Sequence, residues 1–196
     1  MFAVSLFALA ATAADASAQA RSTTKGFHLG AALNGSSVTV EVDDVDDEVE
    51  TGPGLSLTAG YNFTRQLGLL LHVSGASIDS EGGGSYALGH ADLAGRLSFP
   101  NPSGALVPYL ELGFTGISLA DEVDGDDVTV SGQGFTGAVG LNYFFNPKLA
   151  LDLNLRFTGG ELDTVEMDGN SVTSDEGLDT STARVNIGVS WFPRGN

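Results

Sequence analysis

Residues 149–158 read LALDLNLRFT, with an apolar side chain at every second position. Strict alternation of this kind is the pattern of a β-strand with one apolar and one polar face. The pattern recurs eight times, and we predict strands at 26–34, 54–63, 67–78, 86–99, 105–119, 134–145, 149–158 and 182–192. After residue 20, no apolar run approaches the roughly 20 residues that a membrane helix needs. The sequence therefore predicts an all-β fold, an eight-stranded antiparallel up-and-down transmembrane β-barrel.

The predicted connections alternate between short turns and long segments. The short ones, at 64–66, 100–104 and 146–148, are rich in the Asn, Pro and Gly of tight turns. Because outer-membrane barrels have short periplasmic turns and long external loops, an even strand number places both termini in the periplasm. Aromatic residues near the short turns form one predicted interfacial girdle: Phe63, Phe99, Tyr143, Phe145 and Trp191.

The first 20 residues are apolar and rich in alanine, and they end in Ala18, Gln19 and Ala20. A small-x-small triplet after an apolar stretch is typical of a cleaved signal peptide. We therefore assign residues 1–20 to a signal peptide and residues 21–196 to one outer-membrane β-barrel domain. The chain has no cysteine, which excludes disulfides and thiolate metal sites.

The charged residues separate into a rim and an interior. Of 25 acidic residues, 21 lie within 41–50, 79–81, 121–127 and 161–179, segments that contain no Lys or Arg. The charged residues of the strands share the face opposite the apolar one: Asp92, Arg96, Glu111, Asp152, Arg156 and Arg184. Unpaired charge is costly in a narrow barrel, so we predict one ionic network that plugs the lumen. On this prediction Arg156→Ala leaves a buried carboxylate unpaired, whereas Asp127→Ala has little effect.

A soluble barrel of the lipocalin type is the structural alternative, because alternation does not say which face is wet. A solvated outer surface is rich in Lys and Glu. The polar face here has no Lys and carries small residues such as Ser56, Thr58, Gly60 and Ala94. Small residues suit the inside of a narrow barrel, so the pattern favours the membrane-spanning arrangement.

The last predicted strand includes RVNIGVSWF at 184–192 and ends in an aromatic residue. Together with the apolar leader, the alternating strands and the alternating connection lengths, it resembles the small outer-membrane β-barrel proteins of Gram-negative bacteria, the OmpX, Ail and opacity-protein group. The resemblance implies a monomeric, non-enzymatic surface protein of the bacterial outer membrane whose loops contact a host, lipopolysaccharide or ions. It also implies that barrel-assembly machinery reads the last strand. Here Phe192 is followed by four further residues instead of ending the chain.

The acidic segments are the candidate cation sites, since carboxylate oxygens suit Ca²⁺ or Mg²⁺. The candidate ligands are Asp43, Asp44, Asp46, Asp47, Asp124, Asp126 and Asp127. We expect a cation held by these carboxylates to bridge the protein to lipopolysaccharide phosphates. For Asp124-Gly125 and Asp168-Gly169 we favour a structural role, because Asp-Gly is preferred in type I′ hairpin turns. The sequence indicates no other cofactor, and the acidic charge disfavours nucleic acid as a partner.

Two other functions remain open. His72 and Ser74 have a spacing resembling that of lipid A deacylase barrels, where a histidine activates a serine as the nucleophile. Both residues lie on the inward face, as do His28 and His90, and we interpret all four as polar groups packed in the lumen. An OmpW-like channel for small apolar molecules is the second-ranked function. Such a channel needs an apolar hollow lumen, which the charged interior residues argue against.

Overall fold

The computed structural model describes residues 24–40, 49–80, 84–101, 105–123, 126–167 and 170–193. Its strands are β1 (Gly26–Val40), β2 (Val49–Asn62), β3 (Leu67–Asp79), β4 (Ser85–Ser98), β5 (Leu106–Val123), β6 (Asp126–Asn146), β7 (Leu149–Met167) and β8 (Asn170–Trp191). Each strand pairs antiparallel with the next, and β8 pairs with β1, which confirms the predicted closed eight-stranded barrel. No helix in the described ranges is long and apolar enough to cross a membrane. The predicted signal peptide lies outside these ranges.

The two ends of the barrel differ in how well the sequence predicts them. At the short turns every observed strand ends within one residue of the predicted limit. At the opposite end, called the hairpin end below, the strands continue for up to 12 residues beyond it, because acidic segments that we interpreted as loops are paired strand. Pairing continues to Val123 with Asp126 and to Met167 with Asn170. The two Asp-Gly dipeptides between these pairs lie outside the described residues.

Strand pairing is staggered around the barrel. Cα partners lead from Leu29 through Ala59, Leu71, Leu93, Phe114, Phe135, Gly159 and Ser181 to Thr39, so one circuit returns to β1 ten residues further along. A stagger of this size tilts the strands by about 35–45°. Eight such strands enclose an interior only wide enough for side chains to fill it.

The apolar residues move from the outer face to the inner face toward the hairpin end. In β3 the leucines at 67, 69 and 71 are exposed, whereas Ile78 is fully buried. A shift of the apolar set by one position transfers it to the other face of a strand. The same change of side brings these residues together inside the hairpin end: Val38, Ala76, Ile78, Leu88, Ile117 and Leu162. We call this cluster the outer cap.

Candidate functional site

The lumen contains the six charged side chains that the alternation pattern places inward. Positions separated by an even number of residues share one face of a strand, so β4 directs both Asp92 and Arg96 inward. β5 supplies Glu111, β7 supplies Asp152 and Arg156, and β8 supplies Arg184. All six predicted lumen residues are buried, none with more than 9% of its surface exposed. We call the connected charged groups the lumen network.

Glu111 lies at the centre of the lumen network. Arg96 donates from Nε to Glu111 Oε1 at 2.6 Å, and Arg156 donates from Nη2 to Oε2. His72 Nε2 lies 3.2 Å from the same Oε2 atom. The guanidinium of Arg96 also stacks over the ring of Tyr109, 3.9 Å from its centroid. One carboxylate thus holds two arginines from two different strands.

Asp92 forms the second centre, nearer the hairpin end. Thr115 donates its hydroxyl to Asp92 Oδ1 at 2.5 Å, and Arg184 Nη1 lies 3.1 Å from Oδ2. Arg156 Nη1 lies 3.5 Å from that same Oδ2 atom. Arg156 therefore bridges both carboxylates, while Arg96 and Arg184 each hold one of them. The expectation that Arg156→Ala leaves a carboxylate without an arginine differs from this arrangement, because each carboxylate retains a second arginine.

Asp152 is held by neutral groups. Tyr109 donates its hydroxyl to Asp152 Oδ1 at 2.6 Å, and Ser190 donates to Oδ2 at 2.9 Å. His28 Nε2 lies 2.9 Å from Ser190 Oγ, and its Nδ1 lies 3.5 Å from Arg96 Nη1. Asp152 is therefore joined to the charged groups through a serine and a histidine. Tyr109 and Ser190 were not among the predicted lumen residues, although Tyr109 lies two residues from Glu111 and Ser190 six residues from Arg184 on the same strand.

Apolar side chains form a buried cluster on each side of the network. At the short-turn end Val107, Phe144, Ala150 and Phe192 form a buried cluster, here called the inner cap. Phe192 stacks on His28 with centroids 4.6 Å apart, which joins this cap to the polar groups above it. The outer cap covers the network at the hairpin end. From one end to the other, the lumen thus contains an apolar layer, an ionic layer and a second apolar layer.

A small cavity lies beside the ionic layer. Its volume is about 30 Å³, and its lining includes Thr58, Ser74, Asp92, Arg184 and Asn186. A polar space of this size holds about two water molecules. Among the described residues, Arg184 Nε makes no hydrogen bond, and Asp92 Oδ2 has ionic contacts with Arg184 and Arg156 but no hydrogen bond of good geometry.

His72 and Ser74 do not form a catalytic pair. His72 Nδ1 lies 2.8 Å from the hydroxyl of Thr58, and its Nε2 lies against Glu111. Ser74 instead accepts a hydrogen bond from Arg184 Nη1 at 2.9 Å. His90 contacts Thr182 at 3.1 Å. The histidines and this serine therefore fill the lumen as packed polar groups.

None of the candidate cation ligands has a described side chain. Asp43, Asp44, Asp46, Asp47 and Asp124 fall outside the described residues. Asp126 and Asp127 are the first two residues of β6, and their side chains are not described. Within the described ranges, no group of three or more His, Asp or Glu side chains is arranged to hold a metal ion.

Comparison with known proteins gives one match to a family and several to folds. Residues 6–191 match the family model of the outer membrane protein beta-barrel domain. No curated protein matches the chain. Neisserial surface protein A is similar with a TM-score of 0.64 and 15% identity, over 85% of this chain and 97% of that chain. The outer membrane protein OprG of Pseudomonas aeruginosa is similar with a TM-score of 0.58 and 13% identity, over 88% and 98%. Ail, the attachment invasion locus protein of Yersinia pestis, has a TM-score of 0.51 and 13% identity, over 86% and 100%.

Proposed function

Because this chain belongs to the outer membrane protein β-barrel family, we propose that it is a closed, non-enzymatic surface protein of the bacterial outer membrane, whose exposed end makes its contacts. The family match confirms the resemblance that the strand pattern indicated. The observation that carries the proposal is the three-layered filling of the lumen in the described residues, with a cavity of about 30 Å³ beside the network.

The proposed orientation places the short-turn end in the periplasm and the hairpin end outside the cell. Short turns with long opposite extensions support it, since outer-membrane barrels are built this way. Aromatic residues gather on the outer face of the short-turn end, where Phe27 and Tyr61 contact edge to face at 5.2 Å and Tyr143 and Phe145 at 5.5 Å. Aromatic side chains prefer the membrane–water interface. The barrel-assembly machinery would then engage β8 from the periplasm, and the closed pairing supports a monomer.

A filled lumen supports a structural or surface-interaction role over transport. An ion crossing the barrel would have to displace both apolar caps and separate arginines from carboxylates. The OmpW-like channel for small apolar molecules would need a hollow apolar passage, and buried ion pairs at mid-lumen weigh against it. The functional contacts are therefore proposed to lie at the hairpin end, with lipopolysaccharide, outer-membrane lipid or a protein partner.

The conductance of the refolded chain in a planar lipid bilayer tests the closed lumen. We expect no steady openings, because the ionic layer is closed by the inner cap on one side and the outer cap on the other. A porin in the same bilayer is the positive control. Steady openings would refute the closed lumen. If the chain conducts no ions but releases a small apolar dye from vesicles faster than protein-free vesicles do, the OmpW-like channel would replace the closed surface protein as the favoured function.

We also propose that the acidic hairpin end binds Ca²⁺ or Mg²⁺ next to lipopolysaccharide. We expect Ca²⁺ to raise the unfolding temperature of the refolded chain in vesicles that contain lipopolysaccharide, more than Na⁺ does at equal ionic strength, because a ligand that binds only the folded state stabilises it. Vesicles of phosphatidylcholine are the control for a lipid-independent effect. Equal unfolding temperatures in the two salts would contradict this proposal.

A further inference from the structure

Within the described residues, β5, β6, β7 and β8 extend further at the hairpin end than β1, β2, β3 and β4 do. The last described pairs that join these two groups of strands at the hairpin end are Val40 with Thr180 and Ala87 with Ala120. Beyond them β5, β6, β7 and β8 remain paired with one another, up to the Met167–Asn170 pair. Four strands therefore form a sheet that extends past the outer cap.

An aliphatic row crosses this sheet. Leu119 pairs with Val130, Val130 with Val165, and Val165 with Val172. Directly opposite residues on adjacent strands share one face of a sheet. Because Leu119 and Val130 pack against the outer cap, that face is the inward one. Val128 and Met167 form the next pair on the same face. We call this surface the apolar wall: Leu119, Val128, Val130, Val165, Met167 and Val172.

The upper part of the apolar wall is open to solvent. Val165 is 43% exposed, Met167 48% and Val172 70%. Lower down, the same face continues into the buried outer cap. A contiguous apolar patch that is exposed to water is typical of an interaction site. This face therefore presents an apolar patch supported by a packed core below it.

The segments at the hairpin end, from which the apolar wall is built, are acidic in sequence. The segments 41–50, 79–81, 121–127 and 161–179 hold 21 of the 25 acidic residues and no Lys or Arg. On the face of the apolar wall itself, Asp121 is exposed and lies directly opposite Val128. Negative charge on and around this face attracts a cationic ligand. An anionic lipid or polyanion would meet the opposite effect.

We propose that the apolar wall binds cationic amphipathic peptides, with their apolar side chains on the wall and their basic side chains toward the surrounding carboxylates. The proposal rests on the proposed function only in placing the hairpin end outside the cell. Aliphatic contact and charge attraction act together, and a peptide that lacks either one loses most of the affinity.

Binding of a fluorescent synthetic peptide of leucine and lysine, in amphipathic order, tests the proposal. The full chain is refolded into phosphatidylcholine nanodiscs, and empty nanodiscs give the baseline. The double variant Val165→Ser, Val172→Ser should bind at least about tenfold more weakly, because it removes apolar contact area. The matched control, Thr164→Ala with Thr173→Ala, changes the cross-strand pair that lies one residue away, and it should bind as the unchanged chain does. Met167→Ser provides a second wall variant if the double variant refolds poorly.

Two further peptides make the result decisive. A peptide with glutamine in place of lysine should bind at least about tenfold more weakly, and so should one with serine in place of leucine. Equal binding of the glutamine peptide would overturn the proposal in favour of an apolar ligand such as a lipid. Equal binding of the serine peptide, or of the wall variants, would reduce the interaction to charge alone and also overturn it. Conductance is measured separately, so a barrel that conducts and still binds the peptide would refute the closed lumen but not the apolar wall.

Discussion

Replacing Glu111 with alanine is expected to lower the free energy of unfolding by about 3–5 kcal/mol, the cost of leaving buried charges without a partner. Arg96 and Arg156 both donate to this carboxylate, and His72 lies against it. Of these, Arg96 has no second carboxylate among its ion pairs in the described residues, whereas Arg156 keeps Asp92. The substitution therefore leaves a buried guanidinium with only a tyrosine ring and a histidine for compensation.

Urea unfolding of the refolded barrel in phospholipid vesicles measures this effect. Glu166→Ala is the matched control, since Glu166 lies exposed on β7 at the hairpin end and its loss should change stability by no more than about 0.5 kcal/mol. Arg156→Ala should fall between the two, because Glu111 keeps Arg96 and Asp92 keeps Arg184. A Glu111→Ala barrel as stable as the control would show that the lumen network contributes little to stability.

Adding a single methyl group at Gly113 should destabilise the barrel by about 2–3 kcal/mol, whereas the same change at Gly116 should be nearly neutral. Both glycines lie on β5. A Cβ at Gly113 would lie 2.1 Å from the carbonyl oxygen of Leu93 and 2.6 Å from the Cα of Ala94, which are backbone atoms of β4. A Cβ at Gly116 would meet nothing within 4 Å. The curvature of the wall therefore leaves no room for a methyl group at the inward-facing Gly113, whereas the outward-facing Gly116 has room for one.

Gly113→Ala and Gly116→Ala are compared by urea unfolding and by the fraction of chains that refold. We expect Gly113→Ala to reduce both, because β4 and β5 would have to separate to admit the methyl group. Similar losses in the two variants would mean that glycine content in general matters, and would contradict the assignment of Gly113 to a position of tight curvature.

The alternation of side chains was enough to predict the number of strands, their order and the inward side of each, up to the position where the apolar residues change side. Glu111 and Arg184, for example, both point into the lumen, because alternate residues of a strand share one face and the apolar residues occupy the other. Which arginine meets which carboxylate depends on the ten-residue stagger, and alternation within single strands carries no information about stagger. Arg156 and Arg184, for example, are directly opposite each other, and Asp92 on β4 holds both from elsewhere in the lumen.

The apolar caps were missed for a different reason. We interpreted the inward face as polar throughout, so Phe144, Phe192 and Ile78 had no assigned place in the lumen. Phe144 and Ile78 lie on the inward faces of β6 and β3 near a strand end, and Phe192 directly follows β8. The change of side of the apolar residues made the strands at the hairpin end look like loops. Where a strand leaves the hydrocarbon, its outer face meets water and its inner face packs against the outer cap, so its apolar residues change side. A prediction based on one uninterrupted alternation therefore ends the strand at that position.

This change of side also fixes how deeply the barrel sits in a bilayer. Moving it outward would bring exposed leucines such as Leu33 and Leu55 into water, at about 25 cal/mol for each Å² of apolar surface. Moving it inward would bring Glu161 and Asp179 into hydrocarbon, where carboxylates are costly. Free energy therefore rises in both directions, and the barrel has one preferred depth. Bilayer thickness then controls how far the hairpin end stands above the lipid: a thicker membrane would cover more of the outer face of β5–β8, and a thinner one would cover less, without any ligand.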